Sequence, residues 1–130
     1  MKIISIKCLS SGQVQKVTSD ALLFVNENEV TNLIIIFPDD MLNFQKYMIT
    51  NIDGICGEVY LGNENTVSLP LPINLMQGSL LKIQPYVQNP STSQRAYWEE
   101  VNYPINNTLT GGMLLNLPAV WNDINIWKEL

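Results

Sequence analysis

Residues 78–105 read GSLLKIQPYVQNPSTSQRAYWEEVNYPI. Leu81, Ile83, Pro85 and Val87 alternate with Lys82, Gln84, Tyr86 and Gln88. A period of two marks a strand with one face buried and one face wet. Asn89-Pro90-Ser91-Thr92-Ser93 is a polar turn, so the segment reads as two long strands, Ser79–Gln88 and Gln94–Ile105, folded into a hairpin. In the second strand the alternation slips by one residue at Glu99-Glu100. A β-bulge there keeps Trp98, Val101, Tyr103 and Ile105 on a single inward face.

The same grammar extends toward the N-terminus. Lys2–Leu9, Val14–Thr18, Ala21–Val25, Val30–Phe37, Gln45–Ile52, Ile55–Leu61 and Thr66–Leu69 all have strand composition, separated by turn residues. Asp53-Gly54 between apolar runs is the strongest short hairpin signal. Leu33–Phe37 is continuously apolar, as expected of a central strand buried on both sides. Pro38 ends that run, and Asp39 or Asp40 is expected to cap one short helical turn. Leu69-Pro70-Leu71-Pro72 must lie at an edge or crossover, because proline donates nothing to a ladder. About eight strands spaced by turns predict an all-β, immunoglobulin-like antiparallel sandwich over residues 1–110. A C-terminal docking tail occupies 111–130, set off by Gly111-Gly112.

Composition narrows the function classes. The chain has 130 residues, 46% of them hydrophobic, enough for one core. Charged residues are only 15%, against about a quarter in a typical domain. Seven Lys and Arg face twelve Asp and Glu, a net charge of −5, with no basic run to displace counterions from a nucleic acid. No histidine is present, which excludes histidine-based triads and removes the commonest metal ligand. Cys8 and Cys56 form no CxxC pair; a disulfide between them would need neighbouring strands, and the expectation is buried free thiols. No apolar run is long enough for a signal peptide or a membrane span, so the expectation is a soluble protein made in a cytoplasm.

Few residues invite a chemical role. Asp39-Asp40 and Glu99-Glu100 are adjacent acids, but neighbours on a strand point to opposite faces. Asn26-Glu27-Asn28-Glu29 and Asn63-Glu64-Asn65 offer alternating oxygens, yet too few carboxylates for a calcium loop. No catalytic, cofactor or metal residues are assigned. Tyr86, Tyr97 and Trp98 are candidate stacking platforms for sugar rings, with a core position as the simpler reading of Trp98. In the tail, Val120, Trp121, Ile124, Trp127 and Leu130 recur at near-helical spacing and form a candidate partner interface, the alternative being that they pack back on their own sandwich.

The order of several motifs resembles the N-terminal domain of upper-baseplate and minor structural proteins of tailed bacteriophages infecting Gram-positive hosts. The motifs are Val30–Phe37 running into Phe37-Pro38-Asp39-Asp40, Lys46-Tyr47, Asp53-Gly54, Leu69-Pro70, Gly78-x-Leu80-x-x-Ile83-Gln84, and Trp98 ahead of Tyr103-x-Ile105. The likeness covers roughly Leu23 to Leu109. It implies a non-enzymatic β-sandwich in a virion, an adaptor, anchor or decoration component of tail, baseplate or head. Its partners would be other virion proteins and further copies of itself, not nucleic acid or membrane. It carries over no catalytic residues. The alternative is a carbohydrate-binding module recognising host-surface glycans.

Overall fold

In the computed structural model the described residues are 1–18 and 21–108. Two sheets face each other. The first contains β1 (Lys2–Cys8), β2 (Val14–Thr18), β4 (Thr31–Ile36) and β7 (Thr66–Pro70), in the order β2-β1-β4-β7. The second contains β3 (Leu23–Phe24), β5 (Gln45–Ile52), β6 (Ile55–Gly62), β8 (Leu80–Gln88), β9 (Arg95–Tyr97) and β10 (Val101–Asn106). Its order is β3-β10-β8-β5-β6, with β9 also on β8. The expected sandwich is therefore present, with ten strands among the described residues where about eight were expected. Pairing is antiparallel except for β1 with β4 and β3 with β10, which run parallel.

The core between the sheets is apolar. Ile4 and Ile6 of β1, Leu33 and Ile35 of β4, Met48 of β5, and Leu81, Ile83 and Val87 of β8 are fully buried. Such side chains contribute roughly 1.5–3 kcal/mol each on burial. The run in β4 departs from expectation: Leu33, Ile35 and Phe37 are buried, whereas Ile34 and Ile36 are only half-covered. Among the described residues no second layer lies over the outer face of that sheet, so the apolar run here marks a central position between β1 and β7 rather than two-sided burial.

The turns follow their residues closely. Asp53 and Gly54 both take positive φ, 49° and 94°, the mirror-image turn that suits the right-handed twist of a two-residue hairpin. Pro70 closes β7, an edge strand as expected. The helical turn Asp39–Met41 is preceded by Pro38, and no side chain caps it. The acids sit inside its first turn, and the turn is closed by main-chain bonds from Met41 N to Pro38 O (3.0 Å) and Phe44 N to Met41 O (3.1 Å).

The expected second strand of the long hairpin is split by its bulge. Tyr86 pairs with Tyr97, and Ile83 pairs with Val101. Three steps along β8 are thus matched by four along its partner, which defines one extra residue. Trp98, Val101, Tyr103 and Ile105 all point inward, as the parity argument requires. The bulge also explains a proline inside a central strand. A residue's N–H and C=O project to the same side of its strand, so the missing donor of Pro85 faces the bulge. There Trp98 N donates to Pro85 O at 3.1 Å, while Trp98 O accepts from the Gln84 side-chain amide at 3.0 Å. Gln84 replaces the donor that proline lacks.

Replacing Gln84 by Leu should leave the Trp98 carbonyl unpaired and destabilise the domain by about 1–3 kcal/mol. Urea unfolding should show a lower midpoint at unchanged slope; an unchanged midpoint would refute this role.

Candidate functional site

The outer face of the six-stranded sheet carries an ordered row of aromatic side chains. Strand register builds it. Tyr60 of β6 lies opposite Tyr47 of β5, Tyr47 opposite Tyr86 of β8, and Tyr86 opposite Tyr97 of β9. Directly opposed residues share a face, so the four rings form one row across four strands. Ring centroids are 5.2, 4.9 and 5.0 Å apart, with interplanar angles of 48°, 8° and 29°.

Polar groups fix each ring. The Tyr86 hydroxyl donates to the Glu58 carboxylate, and the Tyr47 hydroxyl donates to Gln45 Oε1 at 3.1 Å. The Tyr60 hydroxyl reaches Asn63 Oδ1 at 3.0 Å. The Arg95 guanidinium lies 5.6 Å from the Tyr86 ring centroid and bonds Gln88 Oε1 (3.0 Å) and the Tyr97 hydroxyl (3.3 Å). Burial between its neighbours, then the Glu58 carboxylate, pushes the Tyr86 phenol up to about 12. Beside the row lies a concavity of about 190 Å³, lined by Ile49, Asn51, Cys56, Lys82, Gln84 and Glu100.

This geometry separates the three candidate stacking residues. Trp98 is in the core, 4% exposed, edge-on to Phe37 at 5.7 Å and bonded through its indole N–H to Leu9 O at 2.7 Å. A core ring has no face to offer, so the core alternative holds for Trp98. Tyr86 lies on the outer face as its parity predicted, but is only 6% exposed, because Tyr47 and Tyr97 cover both sides of its ring. Tyr97, 47% exposed at the end of the row, retains one open face. Tyr47 and Tyr60 were missing from the sequence reading. Their pairing was legible in the two-residue Asp53-Gly54 turn, since counting outward from it sets Tyr47 against Tyr60.

Other charged groups are committed to structure. Lys46 points inward and is fully buried, donating to Met41 O and Asn63 O at 2.7 Å each and to Leu42 O at 3.4 Å. It ties the turn at Asp39–Met41 to the β6–β7 connection. Burial lowers its pKa, with the Glu64 charge acting in the opposite direction. Glu27 of the acidic loop is bonded to Lys2 Nζ at 2.7 and 2.9 Å and accepts from Phe24 N at 2.7 Å, so its oxygens serve the loop itself. Glu99 accepts from Val14 N at 2.7 Å. Among the described residues no group of three or more His, Cys, Asp or Glu is placed to hold a metal ion, and no helix is long and apolar enough to cross a membrane.

The cysteines divide. Cys8 is buried, and burial pushes its thiol up to about 12. Cys56 is exposed, contrary to expectation, because the register of β6 places it on the outer face of the sheet beside Asn51, whose side-chain amide donates to its sulfur at 3.3 Å. The tail residues Val120, Trp121, Ile124, Trp127 and Leu130 lie outside the described residues. The chain matches no protein-family model and no curated protein.

Tyr86 and Tyr103 provide a spectroscopic test of this packing. Burial also pushes Tyr103 up to about 12. Both native values lie above the unfolded value of about 10, so their contribution to stability is complete below pH ~10 and is lost as pH rises toward 12. Absorbance at alkaline pH should show two phenols ionising late, together with loss of the folded signal. Ionisation of all five tyrosines in a single step near pH ~10 on a folded chain would contradict the packing.

Proposed function

We propose that this chain is a non-enzymatic virion structural protein, an adaptor, anchor or decoration component that assembles through protein–protein contacts. The observation that carries the reading concerns the motif residues behind the phage resemblance, which hold the scaffold together. Phe37 packs edge-on against Trp98. Lys46 clamps two loops, and Tyr47 stands in the tyrosine row. Asp53-Gly54 turns the β5–β6 hairpin, and Leu69-Pro70 ends an edge strand. Gln84 completes the bulge, and Tyr103 and Ile105 fill the core. A shared order of residues with such jobs is what a common structural domain produces. A common catalytic site would instead bring polar groups together in a cleft.

Location within a head, neck or tail is left to experiment. Antibody against the folded domain should label purified particles from cells expressing this chain. A chain ending before Gly111 should fold with the full chain's thermal transition yet be missing from particles. Equal incorporation of both forms, or particles without either, would end this reading.

A second reading, glycan recognition, draws on one observation. The open ring face of Tyr97 stands on the same sheet face as the amides of Gln88, Gln84 and Asn51. If sugars bind there, a glycan array should show signal for the intact chain and at least a tenfold loss for Tyr97→Ala, about 1.4 kcal/mol. An array with no signal for the intact chain would remove it.

A further inference from the structure

Among the described residues the six-stranded sheet ends on β6, and no described strand pairs with its outer edge. Natural edge strands are blunted by brevity, proline, lysine or bulges. The other sheet edges follow this rule: β3 has two residues, β7 contains Pro70, and β2 carries Lys16. β6 has eight residues, with no proline, lysine or arginine. Its pairing with β5 is regular from Ile55 to Tyr60 and shifts only at its far end, opposite Lys46 and Tyr47.

The groups free on this edge can be named. Across a two-residue hairpin the flanking residues, Ile52 and Ile55, form a hydrogen-bonded pair. Gly57 and Val59 then also turn their N–H and C=O toward β5. Cys56, Glu58 and Tyr60 turn theirs away from the sheet.

The side chains are neutral and self-matching. On the inner face stand Ile55, Gly57 and Val59, with Ile55 77% exposed over a cleft of about 290 Å³ that includes Ile52 and Leu75. On the outer face the one charge is Glu58, tied into its own sheet by the Tyr86 hydroxyl.

We propose that β6 is a self-association edge, where two copies of this chain pair their β6 strands antiparallel about a two-fold axis at Gly57. A second copy fits better than a charged peptide because the edge offers apolar side chains and no free charge to match. A two-fold contact must also be self-complementary, and this strand is. The register follows from charge and geometry. An axis at Glu58 would oppose two carboxylates, which is destabilising. An axis at Val59 would draw Gly62, at φ 94°, into the ladder. An axis at Gly57 sets Glu58 against the partner's Cys56 and Ile55 against the partner's Val59. It also passes through a position without a side chain, where a Cβ would press on Thr50 Oγ1 at 3.0 Å. The two outer sheet faces, each with its tyrosine row, would join into one continuous surface.

The test uses the full chain. Sedimentation should give twice the single-chain mass, falling twofold for Ile55→Lys, whose exposed position leaves the monomer intact, and for Cys56→Pro, which removes an outward N–H. A nitroxide on Cys56, with Cys8 shielded in the core, should show strong dipolar broadening, because the two Cys56 residues become diagonal neighbours about 7–8 Å apart. A single-chain mass for the unmodified protein overturns the proposal. So does a dimer that persists in Ile55→Lys, or one whose Cys56 labels show no coupling.

Discussion

The indole of Trp98 is the contact on which the rest of the sandwich depends. Its N–H reaches Leu9 O at the end of β1, and its ring meets Phe37 just beyond β4, both on the opposite sheet. Its main chain is held to β8 by Pro85 O and by the Gln84 amide. The next residue continues the link: Glu99 N donates to Gly12 O at 2.9 Å, and its carboxylate accepts from Val14 N. One bulge thus fastens the turn between β1 and β2 and two core strands to the second sheet. Removing a buried tryptophan typically costs about 3–5 kcal/mol, a large part of a domain's usual margin of about 5–15 kcal/mol.

The bulge was visible before the structure because it breaks a local rule. Two acids stand where alternation allows one residue, and a bulge restores parity. The Asp53-Gly54 hairpin and the proline-ended edge were legible for the same reason, since each rests on backbone preferences of a few adjacent residues. What escaped the sequence is set by distant partners. Ile34 and Ile36 look like core until one knows that no layer among the described residues covers their side of the sheet. Cys56 looks like a buried thiol until the register of β6 turns it to the outer face of the sheet. Asp39 and Asp40 resemble caps, yet main-chain bonds close that turn. The burial of Lys46 depends on three carbonyls from Met41, Leu42 and Asn63, which no local pattern announces.

The tyrosine row illustrates the boundary. Its β5–β6 half follows from the hairpin turn alone. Its β8–β9 half requires the register of the long hairpin, and joining the halves requires that β5 and β8 be neighbours, which no short motif specifies. Once joined, the rings stabilise each other and turn mostly their edges outward. That moves attention from the sheet face to the exposed β6 edge beside it, where main-chain groups and apolar side chains remain available.

Native-state hydrogen exchange at the Trp98 indole N–H tests the central role of this contact most directly. If Trp98 holds the two sheets together, that proton exchanges only through global unfolding, with a protection free energy equal to the stability measured by denaturant and the same denaturant dependence. Exchange through a small local opening, far below the global stability and insensitive to denaturant, would show that the sheets stay joined without it.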